Sequence, residues 1–81
     1  MLRCKYIVVD NGLLEVIIVF PDILQHRDVA QSFGDVVSGG FITKEDEFIC
    51  YGESISLGLK SRREDTDIAN QQLGRLAEQS Y

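Results

Sequence analysis

The chain has no tryptophan, one histidine, one proline and two cysteines in 81 residues, and each shortage removes a class of protein. A lone histidine, His26, with no paired cysteine spacing leaves no ordinary metal-ligand set, so neither a metal nor a cofactor is expected. Cys4 and Cys50 are too few for the disulfide framework of a small secreted protein. Both sit in apolar strand-like runs, where cysteine behaves as a small hydrophobe, and both are expected to be reduced, as in a cytoplasm. The longest apolar run, Val16 to Phe20, has five residues, whereas a membrane-spanning helix needs about 20. No charged segment, apolar stretch and small-residue cleavage site open the chain, so a soluble cytoplasmic protein without a membrane partner is expected. Positive charge is also short: the net charge is -5. That balance disfavours a nucleic-acid binder, which needs a basic surface to displace counterions.

What remains describes a single domain over residues 1–81, near the small end of what folds without staples. A hydrophobic fraction of 44% and seven glycines are ordinary for a globular chain. So small a core makes oligomerisation a natural supplement.

The N-terminal third carries a hairpin signal. Tyr6 to Val9 lead into Asp10-Asn11-Gly12, and Leu13 to Phe20 follow as a second β-rich run. Asn-Gly suits a two-residue type I′ turn. Such a turn predicts Asp10 opposite Leu13, Val8 opposite Glu15, Tyr6 opposite Ile17 and Cys4 opposite Val19. The other face would pair Ile7 with Val16 and Lys5 with Ile18, so both faces are largely apolar, unlike a hairpin with one wet side.

Pro21 ends the second strand because it offers no ladder donor. The spacing of Ile23, Val29, Ala30 and Phe33 predicts a helix within 22–33, stopped by Gly34; its start could lie as late as His26 or Arg27. Val36 to Ile42 reads as a strand in which Gly39-Gly40 marks a bulge or a close approach of another backbone. Phe48 to Tyr51 returns as its partner. Ser54 to Leu59 alternates, with Ile55, Leu57 and Leu59 on one side, as a fifth strand or an extended loop. Ser61 and Glu64 have the spacing of a capping box for a last helix. Its apolar stripe is Ile68, Ala69, Leu73, Leu76 and Ala77. The order is ββαββα: a small two-layer α+β domain with a mostly antiparallel sheet of two hairpins and two helices.

Few polar groups converge as an enzyme would need, and no catalytic residue is assigned. His26 beside Asp28 reads as a surface or capping residue. An arrangement of Cys50, His26 and Glu53 lacks any context that would activate the thiol. The segment Cys50 to Asp65 carries the better candidates. Lys60, Ser61, Arg62 and Arg63 stand at a helix start, where backbone amides and the dipole favour an anion. Basic residues there oppose the dipole, which implies a carboxylate neighbour such as Glu53 or a bound partner. Glu53, Lys60, Ser61, Arg62 and Arg63 are therefore the candidate partner or anion surface. The doubly apolar hairpin supplies a second candidate: Leu2, Cys4, Tyr6, Ile17 and Val19 would form a patch on which two chains pair as a homodimer. The alternative is that the chain after Tyr51 folds back over that face.

Lys5 to Val8, Phe20-Pro21, SGGFI (38–42) and the segment GESISLGLKSR (52–62) together give the chain its resemblance, over most of its length, to small uncharacterised proteins of bacteriophages and prophages. Proline commonly follows the SR pair in that group, where this chain has Arg63, so the helix start is the point of departure. The resemblance implies a phage or bacterial host-cytoplasm setting and no established activity. The expected function is a non-enzymatic, phage-type accessory protein that binds a protein partner. The alternative is a small anion- or nucleotide-binding module built on the basic helix start.

Overall fold

The β1 strand (Cys4–Asp10) and β2 (Glu15–Pro21) form the first antiparallel hairpin of a computed structural model that describes residues 3–79. A short helix α1 (His26–Ala30) follows, then a long strand β3 (Asp35–Lys44) and its partner β4 (Phe48–Tyr51). Two-residue strands β5 (Glu53–Ser54) and β6 (Leu59–Lys60) make a separate small ribbon before the last helix α2 (Arg63–Gln79). The main sheet runs β2-β1-β3-β4, and all its pairings are antiparallel. The α+β class and the ββαββα order are as the sequence predicts, with the β5–β6 ribbon added.

The first hairpin closes differently from the Asn-Gly expectation. Asp10 faces Glu15 and Val8 faces Ile17, so the loop is Asn11 to Leu14, four residues long. A type I′ turn needs positive φ at both central positions, but only Gly12 takes it, at 93°. Asn11 instead uses its side chain: its Oδ1 accepts the N–H groups of Leu13 (2.9 Å) and Leu14 (3.0 Å). Asp10 Oδ1 likewise accepts the Gly12 N–H at 2.8 Å. The register slips by two residues, so each side chain stays on its intended face.

Both apolar faces are covered. On one, Tyr6, Val8, Ile17 and Ile42 pack with Ala69 of α2, and Cys4, Cys50, Ile68 and Leu73 surround them. On the other, Ile7, Val9 and Phe20 pack with Val29 and Ala30 of α1 and with Leu57 from the β5–β6 turn. This corrects the expected dimer face. Tyr6 and Ile17 are buried under α2, Cys4 is half-buried, and only Val19 is exposed; Leu2 lies outside the described residues, as do the side chains of Leu76 and Ala77. The chain after Tyr51 does fold back over that side.

The first helix is shorter than 22–33. A turn, Leu24 N–H to Pro21 C=O at 3.1 Å, occupies its expected first residues. At the other end Ser32 and Phe33 donate to Val29 and Ala30, three residues back, which tightens and ends it. Ile23 and Phe33 are consequently exposed. Gly39-Gly40 is a close approach rather than a bulge: a β-carbon on Gly40 would lie 2.5 Å from the Tyr51 carbonyl oxygen. The bulge falls earlier, where Val8 faces Ser38 and Val9 faces Val36, leaving Val37 extra. In the ribbon the expected alternation is reversed at its start: Ser54 is buried and Ile55 is 88% exposed.

Helix α2 also finishes the sheet's edges. Gln72 accepts the Ile17 N–H (3.0 Å) and donates to the Glu15 C=O (2.8 Å) on β2. Asn70 does the same for Phe48 on β4, and Thr66 Oγ1 accepts the Cys50 N–H. Pairing these groups blunts edges that would otherwise recruit another strand.

Candidate functional site

The start of α2 holds the densest polar cluster. Ser61 does not cap the helix; its N–H donates to the Gly52 C=O at 3.0 Å. The helix begins one residue late for that box, and Asp65 reaches back to accept the Arg62 N–H at 2.9 Å. Asp65 therefore fills the role expected of Glu64, which is exposed. Its side chain is fully buried and also accepts Arg62 Nε at 2.9 Å and the Tyr6 hydroxyl at 2.6 Å. Arg62 spans from Asp65 to Glu15, meeting both Glu15 oxygens at 2.8 and 3.2 Å in a fork. The Glu15 hydrogen bonds first, and then Asp65, hold the guanidinium firmly in its charged form. Burial, then the Asp65 carboxylate, push the Tyr6 phenol well above its ordinary range, so it stays a neutral donor.

The carboxylate neighbour expected for these basic residues is thus not Glu53 but Glu15 and Asp65. Of the five candidates, Arg62 is consumed by this cluster and Ser61 is half-buried, while Glu53, Lys60 and Arg63 are exposed. Glu53 and Lys60 face each other across the β5–β6 ribbon. Among the described residues the ion pairs are both made by Arg62.

The other polar convergence lies on the α1 side. A cleft of about 530 Å³ is lined by Lys5, Gln25, His26, Phe41, Glu53 and Ile55, with Gly52 and Ser56 between them. His26 is not a surface residue: it is 4% exposed, and its Nε2–H donates to the Gly40 C=O at 2.8 Å. Phe20 and Phe41 meet the imidazole edge-on at 5.4 and 6.0 Å. Desolvation lowers the imidazole's proton affinity, Lys5 adds to the effect, and the Gly40 bond opposes it. Lys5 Nζ donates to the Leu24 C=O at 2.8 Å, tying the approach to α1 onto β1. Phe41 forms the floor, with Arg3 stacked 4.3 Å from its ring centre.

The cleft brings Glu53 and His26 to one place but leaves Cys50 behind the sheet, against α2. Burial first, then the Asp65 carboxylate, push the Cys50 thiol up to about 11, which makes it a poor nucleophile. Lys5, Gln25, Phe41 and Ser56 carried no spacing signal, because the cleft joins β1, α1, β3 and the ribbon. Asp65 is legible only as an acidic residue of the first turn; its partner Tyr6 lies 59 residues away, and Arg62, its other partner, reaches on to Glu15 of β2. Among the described residues no group of three or more histidines, cysteines and carboxylates is placed to hold a metal. Nor is any helix among them long and apolar enough to cross a membrane. No protein-family model matches the chain, and no curated protein or solved structure matches it.

Proposed function

We propose that the protein is a non-enzymatic accessory module that binds a protein partner through the cleft face on the α1 side, in the phage or prophage setting that its resemblance implies. The observation that carries this reading is Ile55, 88% exposed at the cleft's edge on a turn that is itself held in place. Gly58 N–H donates to the Ile55 C=O at 3.2 Å, and Leu57 N–H to Ser54 Oγ at 3.3 Å. Ile23 and Leu24, from the turn before α1, are 85% and 44% exposed. Ile55, an apolar side chain on an ordered turn at the edge of a concave surface that Phe41 also lines, suits a partner's apolar side chain, because little ordering entropy is lost on contact. Lys5 and Glu53 give that surface one charge of each sign for orienting the partner.

The test compares affinity capture by the full chain, by Ile55→Asp and by Asp67→Asn, a change of one charge unit at an exposed position of α2. Recovery of one protein by the first and third, and its loss with Ile55→Asp, supports the reading. Equal recovery by all three would sink it. The anion reading has less support, because Arg62 is saturated by two carboxylates and Asp65 already occupies the helix start. Titration with inorganic phosphate and ATP, followed by amide shifts of Lys60 to Glu64, decides it; silence at millimolar ligand removes it.

A further inference from the structure

The loop of the first hairpin, at the far end of β1 from the cleft residue Lys5, presents two leucines to solvent. Leu13 is 91% exposed and Leu14 54%. The loop is ordered by its own hydrogen bonds: Asp10 accepts the Gly12 N–H, Asn11 Oδ1 accepts those of Leu13 and Leu14, and Asn11 N–H donates to the Leu14 C=O at 3.2 Å. Among the described residues neither leucine belongs to the packing on either face of the sheet. Beside this tip a second cost appears. Glu15, Asp10 and Asp35 are direct neighbours across β2, β1 and β3. Arg62 neutralises Glu15, but Asp10 and Asp35 are exposed and form no ion pair among the described residues. Like charges directly opposite on adjacent strands are destabilising.

We propose that this tip is an interaction element distinct from the cleft, in which Leu13 and Leu14 enter an apolar pocket on a protein partner whose rim carries lysine or arginine. An apolar side chain fixed on a rigid loop loses little entropy on insertion and makes an efficient anchor. The uncompensated Asp10 and Asp35 select a basic rim and speed encounter at low salt. The same acidic tip, on a chain of net charge -5, is repelled by anionic lipid surfaces and by a second copy of itself.

The test places a photo-crosslinking benzoylphenylalanine at position 13 of the full chain in cells. One discrete protein adduct is expected, and that protein, purified, then binds the unlabelled chain. Leu13→Ser weakens the binding at least tenfold. Asp35→Asn weakens it a few-fold and flattens its salt dependence. Leu13 is exposed, so Leu13→Ser keeps the parent's thermal unfolding midpoint, and Asp35→Asn, which relieves the repulsion from Asp10, keeps or slightly raises it; neither loses the fold, which separates lost contact from lost fold. Absent or scattered adducts would overturn the proposal, as would Leu13→Ser binding within twofold of the parent. So would Leu13-dependent sedimentation with phosphatidylglycerol or phosphatidylcholine vesicles, or a doubled mass by light scattering that Leu13→Ser abolishes. Loss of cleft binding in Ile55→Asp leaves these outcomes unaffected.

Discussion

Beneath α2 the sheet meets a helix that supplies polar side chains along with apolar ones: Asp65 takes the Tyr6 hydroxyl, Arg62 bridges to Glu15, and Gln72, Asn70 and Thr66 close both edges. On the opposite face α1 has five residues, the ribbon has two-residue strands, and Ile23, Leu24 and Ile55 stay in solvent. One face is built as a closed structural layer, and the other is left concave with ordered apolar turns around it. A small domain with little stability to spare concentrates its cohesion on one side, which leaves the other side for the recognition proposed above. The comparison makes a division of labour that substitutions can break.

The largest effect belongs to Asp65. Asp65→Asn keeps the shape but offers an amide N–H₂ where Tyr6 and Arg62 both donate, so one donor loses its acceptor in a buried site. Removing one member of a buried charged cluster costs about 3 kcal/mol or more. Urea unfolding of the variant should show that loss, and an unchanged midpoint would mean the α2 face is not the cohesive one. Tyr6→Phe comes next. It deletes only the hydroxyl and leaves Asp65 with Arg62, so the cost is that of one charge-assisted hydrogen bond, about 2 kcal/mol. A loss equal to that of Asp65→Asn would show that the phenol, not the guanidinium, stabilises the carboxylate.

How much of this division could be read beforehand follows the reach of each signal. Local signals served well for Phe48 to Tyr51, whose flanking polar loop and β-rich composition are contiguous. They failed at Asn11, where a side chain that also bonds the backbone competed with the left-handed turn its neighbour glycine suggests. They failed again at His26. A histidine at a helix start reads as exposed, and its burial comes from distant partners: the Gly40 C=O takes its Nε2–H, and Phe20 and Phe41 meet the ring edge-on. The Gly-Gly pair did announce a close approach, but not of what. The basic helix start announced a carboxylate partner, and the partner's identity lay in the β2 strand, beyond any spacing rule. Glu53 reached the cleft as a candidate; the rest of its lining is a product of topology.

Ser38 is the exception on the closed face. It sits opposite Val8, is fully buried, and its Oγ is the one buried side-chain oxygen without a hydrogen-bond partner among the described residues. Ser38→Ala removes a desolvated hydroxyl and loses no bond, so stability should rise by about 1 kcal/mol. A fall instead would mean that the hydroxyl fills space the alanine leaves empty.

The smallest effect is on the open face, and pH reveals it. His26 is neutral in the fold with Nε2–H on Gly40, so acid must place a second proton on Nδ1 of a buried ring near Lys5 and between Phe20 and Phe41. Its folded affinity for that proton is lowered below the ordinary 6.5. Between the folded value and 6.5 the unfolded chain binds more protons, so stability is fully present above pH 6.5 and falls as pH drops toward the folded value. The Gly40 bond opposes the desolvation, which keeps the slope shallow. Urea midpoints at pH 7.5, 6.5 and 5.5 should decline gently in the parent, while His26→Gln, which retains a donor for Gly40, should be less stable at pH 7.5 but flat across the window. An equal slope in both chains would assign the acid sensitivity to carboxylates instead, and would detach the cleft floor from any role of His26 charge.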